Sequence, residues 1–374
     1  MKRELKALFS FKRGGRINGG YLLSLTVSIV LALLVGAGIM LASGHDPLQG
    51  YAALLTGALS GKRAIGDTLA KSATLCLLGL ATAVAAQGGI FNCGGEGQLY
   101  FGAIASALAG AYLSGLSPVA GIPLCLLIAM LAGALWAYIP GLLKVKLKVN
   151  EVITTIMLNS VATFFCAYLG NGPLKTAERG IASGTAKIDA AFAFSKVIKL
   201  SNLTSSIFIS AFTALLIWYL MKRTTIGYEM KLTGENERFA GYAGINSGRL
   251  ALLGMLLSGA ICGMVGMFEV FGIHKRYTDS VSNGFFWDGM LVAMIMRYQP
   301  MGIILMSFFF GILKIGGTGM EKVGIPSETI TIVQSVIIFF MAAEGGISAS
   351  LKARRVQRAA RLRAGAAKGG CDHV

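Results

Sequence analysis

The chain has 374 residues, of which 55% are hydrophobic and only 14% are charged, and its formal net charge at pH 7 is +17. A soluble domain carries about 25% charged residues, so this composition excludes an ordinary soluble protein and predicts a membrane protein. The positive charge does not indicate binding to nucleic acid, because Lys and Arg lie at the two ends and in short polar gaps, with no aromatic-interleaved basic motif.

In chain order, apolar segments recur that are candidates for membrane-spanning helices, since a span needs about 20 apolar residues. They cover residues 21–41, 65–86, 99–116, 122–143, 152–169, 205–221, 250–271, 286–296, 301–315 and 329–342. Several are short, which predicts broken or re-entrant helices beside the glycine-rich loops. The predicted fold class is therefore all-α, a polytopic integral membrane protein with about ten transmembrane helices.

The charge distribution predicts the orientation of the chain. An even number of crossings places both termini on one side, and the polar stretch 222–249 falls on that side as well. Excess Lys and Arg mark the cytoplasmic side, so both termini are expected in the cytoplasm. The 171–202 loop would lie outside despite carrying Lys and Arg, and longer loops obey the rule less strictly. Basic residues on the cytoplasmic side are Lys144, Lys146, Lys148, Lys352, Arg354, Arg355, Arg358, Arg361, Arg363 and Lys368.

Three regions follow from this layout. Residues 1–20 form a basic cytoplasmic N-terminus, residues 21–343 form the transmembrane domain with a cytoplasmic loop at 223–247, and residues 344–374 form a basic cytoplasmic tail. The first apolar run is long enough to span and lacks a small-residue cleavage site, so a retained first helix is expected.

The segment 88–98, GGIFNCGGEGQ, lies between two apolar segments and carries Glu96 with Asn92 and Gln98. Irregular backbone and a carboxylate at membrane depth survive only when buried in protein or lining a water-filled cavity, which favours transport. Glu96 either lines or gates a pore, or accepts hydrogen bonds from the amides of its own glycine-rich break. Asn92 and Gln98 either bind a ribose or base, or bond helix to helix.

Other polar and aromatic residues have two interpretations each. Asn150, Glu151 and Asn159 flank a span, where a structural role is favoured. Phe286 and Trp287 could stack on a base, but aromatic residues at a membrane boundary are usually anchors. The candidate substrate-pathway residues are Asn92, Glu96, Gln98, Asn159, Trp287 and Asp288.

Small residues predict close helix packing. Gly102, Ser106 and Gly110 recur at every fourth position, and Gly259 and Gly263 form a GxxxG pair. Such faces favour contact within the subunit over contact across a dimer. The 6 cysteines have no CxxC pairing and are interpreted as core-filling residues, and the 3 histidines are too scattered to propose a metal site.

No motif for chemistry on a substrate is present. The chain lacks GxxxxGK[ST], GxSxG and HExxH, so no catalytic residue, metal or cofactor is predicted. The embedded acids Glu96, Glu151, Glu269 and Asp288 do not form a spaced proton relay. Any energy source is therefore expected in a partner.

The polar stretch 222–248 predicts a short cytoplasmic helix. Asn236 is a plausible N-cap, Glu237 lies in the first turn, and Gly244 is placed to end the helix. Phe239 and Tyr242 share one face with the neighbouring Ala243. The face suits docking into a groove on another protein, and the alternative is an interfacial helix on lipid headgroups.

Three strings carry a resemblance to a known family. Residues 92–98, NCGGEGQ, are similar to NIGxEGQ, residues 150–159, NEVITTIMLN, match NEVIxTIMLN, and residues 234–245, GENERFAGYAGI, follow GxNxxAAxYAGI. Over residues 21–343 the chain resembles the permease subunits of bacterial ABC importers in the branched-chain amino acid and simple-sugar superfamily. The closest likeness is to the branch that is paired with basic membrane lipoproteins and handles nucleosides. The chain departs from the family pattern at Cys93, Phe239, Gly241, Met296, Tyr298 and Gln299.

The resemblance implies a permease for nucleosides or a related sugar-like solute in the bacterial cytoplasmic (inner) membrane. It also implies three partners: a second, homologous permease in a heterodimer, an ABC ATPase with two nucleotide-binding domains, and an extracytoplasmic substrate-binding lipoprotein. Residues implied to couple to the ATPase are Gly234, Asn236, Phe239, Ala240, Tyr242 and Gly244. The alternatives are a ribose- or galactose-type sugar permease, an ion-coupled secondary transporter, and a membrane enzyme, for which no convergent acid, base or metal set is visible.

Overall fold

The structure is a computed structural model and describes residues 12–13, 16–17, 19–176, 184–326, 328–329, 331–332, 335–336 and 339. The described part is mainly helical, with connecting loops, a two-residue antiparallel ladder, Lys12–Arg13 with Arg16–Ile17, and two isolated β-bridges. The predicted all-α class is confirmed. The tail at 344–374 and most of the expected span at 329–342 lie outside the described residues.

Twelve α-helices lie within the described residues. They are α1 (Gly19–Ala42), α2 (Pro47–Leu59), α3 (Gly61–Gln87), α4 (Gly95–Tyr112), α5 (Pro118–Leu147), α6 (Glu151–Asn171), α7 (Ser206–Arg223), α8 (Thr225–Glu235), α9 (Glu237–Tyr242), α10 (Ser247–Glu269), α11 (Phe285–Ile295) and α12 (Pro300–Glu321). A π-helical turn, Val270–His274, extends α10. The sequence did not indicate α2, and the polar stretch after α7 contains α8 as well as the single helix expected there.

Six helices of the described residues are long and apolar enough to cross a membrane: α3, α5, α6, α7, α10 with its π-helical turn, and α12. A seventh candidate arises if residues 29–42 and Pro47–Leu59 are counted as one broken span. These helices confirm a polytopic membrane protein, whereas the count of ten spans stays a prediction. The helix α11, with 11 residues, is shorter than a span.

Residues 51–323 form one compact unit, in which α10 packs against α5, α4 and α3, and α12 packs against α3. Glycines allow the backbones to touch: a Cβ on Gly102 of α4 would lie 2.3 Å from the Cα of Gly263 on α10. One on Gly133 of α5 would lie 2.2 Å from the Gly259 carbonyl oxygen. The predicted close packing therefore forms within the subunit, through the van der Waals contacts that drive association in lipid.

The described residues within 1–50 and 324–339 form a second unit. Within it, Gly50 lies against the side chains of Met40 and Ile325. The α1 helix runs for 24 residues with apolar character along its length.

At one end of the 51–323 unit, several chain segments meet. The segment after α3, the end of α5, the helices α8 and α9 and the start of α10 together line a small cavity, with Lys144, Lys148 and Glu237 among the lining residues. Lys144 Nζ lies 2.7 Å from Glu151 Oε2, which ties the end of α5 to the start of α6. Glu151 thus has the structural role that its position at the edge of a span favoured.

The cysteines follow the core-filling interpretation. Cys76, Cys93, Cys125, Cys166 and Cys262 are free and buried, and Cys371 lies outside the described residues. Among the described residues there is no group of three or more His, Cys, Asp or Glu side chains that could hold a metal ion.

Candidate functional site

The break between α3 and α4 is held by a closed amide network. The fully buried Asn92 donates to Gln98 Oε1 at 3.0 Å and to Ser258 Oγ on α10 at 2.8 Å. Its Oδ1 accepts from the Gly94 N–H at 2.8 Å and from Gln98 Nε2 at 3.2 Å. Asn92 thus has partners for its amide group within the protein, and in this conformation it bonds helix to helix.

The helix α6 clamps the same break from the other side. Asn159 Nδ2 donates to the Cys93 carbonyl oxygen at 2.7 Å, and its Oδ1 accepts from the Gly97 N–H at 2.8 Å. One turn earlier, Thr155 Oγ1 accepts from the Cys93 N–H at 3.3 Å. Because Thr155 and Asn159 are four residues apart on one helical face, the string at 150–159 and the glycine-rich string at 92–98 form one structure.

Glu96 reaches a distant part of the chain. Its Oε1 accepts from the Gly284 N–H and its Oε2 accepts from the Phe286 N–H, both at 3.3 Å. Gly284 is the residue before α11 and Phe286 lies in its first turn, so the expectation that Glu96 accepts from its own break is wrong in its choice of donors. Amides of the break at Gly94 and Gly97 are instead bonded by Asn92 and Asn159.

A carboxylate at this position is favourable for a second reason. Glu96 lies in the first turn of α4 while it caps the first turn of α11, so two helix N-termini converge on one negative group. Unpaired amides and the helix dipole make an N-terminus electropositive, which stabilises an anion there. The structural role of Glu96 is therefore to fix the start of α11 against α4.

Phe286 and Trp287, the two aromatic residues considered for stacking on a base, differ in their exposure at the start of α11. Phe286 is fully buried, and a Cβ on Gly95 would lie 2.0 Å from its ring, so only glycine fits under it. Phe286 therefore has no free face for stacking. Trp287 points outward and is 37% exposed.

Asp288 lies in the same first turn and pairs with Lys314 of α12, with Nζ 2.7 Å from Oδ2. On the other side, Lys71 Nζ of α3 lies 3.1 Å from the centroid of the Phe285 ring. Neither lysine was singled out from the sequence. The signal that could have found them is an isolated cation inside an otherwise apolar segment, which is costly unless it is paired.

The helix α9 has the predicted N-terminus. Asn236 Oδ1 accepts from the Phe239 N–H at 3.2 Å, the helix begins at Glu237, and Gly244 after its end has a φ of +78°. Phe239 is 55% exposed and Tyr242 is 92% exposed. An aromatic face without cover among the described residues therefore projects from this segment.

Two small residues anchor the aromatic face to the helices. Ala240 of α9 is fully buried. A Cβ on Gly234 would lie 2.7 Å from the Gln87 carbonyl oxygen at the end of α3. This close approach joins the segment to the helix that leads directly into the break.

The family match covers most of the same residues. The sequence pattern of the branched-chain amino acid transport system permease components matches residues 64–342, which include the break, α9 and α11. The chain belongs to this permease family. The resemblance inferred from the three strings is thereby confirmed.

Three relatives show how broad the likeness is. The permease is 34% identical over 326 residues to the nucleoside ABC transporter permease protein NupB of Lactococcus lactis subsp. cremoris, covering 84% of this chain and 89% of the relative. It is 33% identical over 331 residues to the guanosine ABC transporter permease protein NupP of Bacillus subtilis, covering 87% and 94%. It is 30% identical over 332 residues to the glucose ABC transporter permease protein TsgB13 of Haloferax volcanii, covering 84% and 85%. No solved structure matches the chain significantly.

Membership of this family settles the class of activity. The permease is the membrane component of an ABC transporter and is not itself an enzyme, since ATP hydrolysis belongs to a partner subunit and the solute is delivered by a binding partner. The expectation of an external energy source is thereby confirmed.

Proposed function

We propose that the chain is a permease for nucleosides in a bacterial cytoplasmic membrane, acting with a second, homologous permease, an ABC ATPase with two nucleotide-binding domains and an extracytoplasmic binding lipoprotein. The observation that carries this proposal is the identity of 34% and 33% to a nucleoside and a guanosine permease, each over at least 84% of the chain. A glucose permease at 30% identity makes a hexose the second candidate solute.

The proposed orientation is supported by the charges at the end of the bundle where α5, α8 and α9 meet. That end carries Lys144 and Lys148, and positive charge collects on the cytoplasmic side. The exposed face of α9 then projects into the cytoplasm, where the ATPase binds. Ten spans with both termini in the cytoplasm are compatible with this arrangement.

The substrate pathway is proposed along one face of α11. Five residues of α11 are not buried by their neighbours in the described chain, and we call them the α11 stripe: Phe285, Trp287, Asp288, Leu291 and Met294. Since α11 is too short to span, it resembles the discontinuous helices that build solute sites in transporters. Asn92 in the break, Gln98 of α4 and Asn159 of α6 hold the shape of the pathway, and Glu96 fixes the start of α11.

The reconstituted transporter, with all four kinds of subunit in proteoliposomes, is expected to accumulate radiolabelled inosine in the presence of ATP. The same preparation without the lipoprotein is expected to show little uptake, because the lipoprotein delivers the solute. Accumulation of glucose without any nucleoside would support the second candidate and contradict the nucleoside assignment.

The purified permease alone is expected to hydrolyse no ATP, because it has no phosphate-binding loop. Phosphate release would be compared with that of the complete transporter after removal of contaminating ATPases. Turnover that persists in the purified chain would contradict the assignment as a permease subunit.

A further inference from the structure

Four charged side chains from four helices lie together at the α11 stripe, which supplies one of them. They are Lys71 of α3, Glu269 of α10, Asp288 of α11 and Lys314 of α12. Lys314 pairs with Asp288 at 2.7 Å, and Lys71 lies within electrostatic reach of the other three. Thr74 Oγ1 lies 3.3 Å from Glu269 Oε1. We call Lys71, Glu269, Asp288 and Lys314 the charge cluster.

The surroundings of the charge cluster indicate which way it faces. Lys71, Asp288 and Lys314 are only half-buried. Lys71 lies on the ring of Phe285, and Asp288 directly follows the exposed Trp287 in α11. Ionisable residues within transmembrane helices face a water-filled cavity or another protein segment rather than lipid. The open side of the cluster therefore faces the pathway or the second permease, and not the bilayer.

The chemistry of the cluster selects a class of ligand. Two ammonium groups are matched by two carboxylates, so the cluster has no net charge. Lys71 already lies on one face of Phe285, while Trp287 offers an aromatic surface. An aromatic surface flanked by donors and acceptors suits a flat, polar and uncharged solute, and the paired lysines offer no unmatched charge to a phosphate.

From this geometry we propose that the charge cluster, with Phe285 and Trp287, is a solute-binding site of the permease that accepts nucleosides and rejects nucleotides. The proposal rests on the proposed function and extends it to Lys71, Glu269 and Lys314. Trp287 stacks on the base, while Lys71 and the Asp288–Lys314 pair bond to its polar edge or to the ribose hydroxyls. The competing role is a purely structural one, in which the charges only hold α11 between α3 and α12.

The test is labelling of an Asn283→Cys variant, at an exposed position four residues before Trp287, by a small hydrophilic thiol reagent in the complete, reconstituted transporter. The reporter is placed in a Cys371→Ser chain, and that chain without the reporter gives the background, since Cys76, Cys93, Cys125, Cys166 and Cys262 are buried. Inosine at about twice its dissociation constant is expected to slow labelling about threefold, as simple occupancy requires. Inosine 5′-monophosphate at the same concentration is expected to have no effect.

A second labelled position controls for general closure of the pathway. Met294 lies on the α11 stripe, seven residues beyond Trp287, and is 44% exposed. A Met294→Cys variant is expected to be labelled with weaker protection by inosine. Equal protection at both positions would show that inosine closes the pathway without binding at the cluster, which would overturn the proposal.

Substitutions in the Asn283→Cys background separate contact with the solute from a structural role. Lys71→Met is expected to abolish protection by inosine while the labelling rate without inosine stays unchanged, and Lys71→Arg is expected to retain protection. Lys62→Met, at an exposed position near the start of the same helix, is the matched control and is expected to behave as its parent. A changed rate without inosine, together with intact protection, would show that Lys71 only positions α11.

Uptake by the wild-type transporter tests the proposed nucleoside permease separately from the proposed binding site at the charge cluster. A transporter that imports inosine without protection at Asn283→Cys would overturn the charge cluster as a binding site and leave the nucleoside permease intact. A transporter that imports no nucleoside would overturn both.

Discussion

Tyr242→Asp and Phe239→Asp are each expected to abolish solute uptake while the permease still inserts into the membrane. Tyr242 is 92% exposed and Phe239 is 55% exposed, so neither substitution disturbs the packing of the chain itself. If the face docks into a groove of the ATPase, each Asp buries an unpaired charge there, at a cost of several kcal/mol. A loss of about 3 kcal/mol lowers the affinity about a hundredfold.

Copurification of the ATPase and uptake into cells provide the two measurements for this prediction. Tyr228→Asp is the matched control, because Tyr228 lies on the adjacent helix α8 and is 65% exposed. It is expected to retain the ATPase. Equal losses in all three variants would indicate a general role at the lipid surface, and normal uptake in Tyr242→Asp and Phe239→Asp would exclude α9 as the docking site.

The local structure of α9 could be predicted from the sequence because its signals are local. Asn236 caps the helix by accepting from an amide three residues later, and Gly244 lies just past its end. Both signals lie within a few residues of the helix, so the sequence alone indicates them. The break at 88–94 is equally local, since an apolar run interrupted by Asn and Gly cannot continue as a helix in lipid.

The partners of the break residues could not be predicted in the same way. Glu96 and the Gly284 amide are 188 residues apart, and Asn92 and Ser258 are 166 apart. A single sequence gives the donor and acceptor types but not which helices become neighbours, because that depends on packing of the whole bundle. The pairing of Lys314 with Asp288 could not be predicted for the same reason. An isolated lysine in an apolar run does indicate that some partner exists.

Glu96 connects the break between α3 and α4 to α11, the helix that carries the proposed pathway. Its carboxylate holds the Gly284 and Phe286 amides, and Gly284 has a φ of +75°, which glycine adopts without strain. At the other end of α11, Arg297 and Tyr298 also have positive φ values. The short helix is therefore bounded by turns at both ends and is positioned at its start by one side chain.

Substitution of Glu96 is expected to have graded effects. A carboxylate accepts from both amides, whereas the amide of Glu96→Gln accepts from one and presents a donor to the other. Glu96→Ala leaves both amides unpaired, and each buried unpaired donor costs about 1–3 kcal/mol. Loss of the charge removes up to about 2 kcal/mol of interaction with the N-terminus of α11.

Thermal stability of the assembled complex in detergent is therefore expected to fall in the order wild type, Glu96→Gln, Glu96→Ala, with uptake following the same order. Glu151→Gln removes a carboxylate whose Lys144 partner lies at the edge of a span, and it serves as the matched control with a small expected loss. If the charge of Glu96 gates the pore, a different pattern is expected. The Glu96→Gln and Glu96→Ala transporters would then lose uptake equally, while both complexes remain as stable as wild type. That pattern would contradict the capping role, because an uncapped α11 cannot be as stable as a capped one.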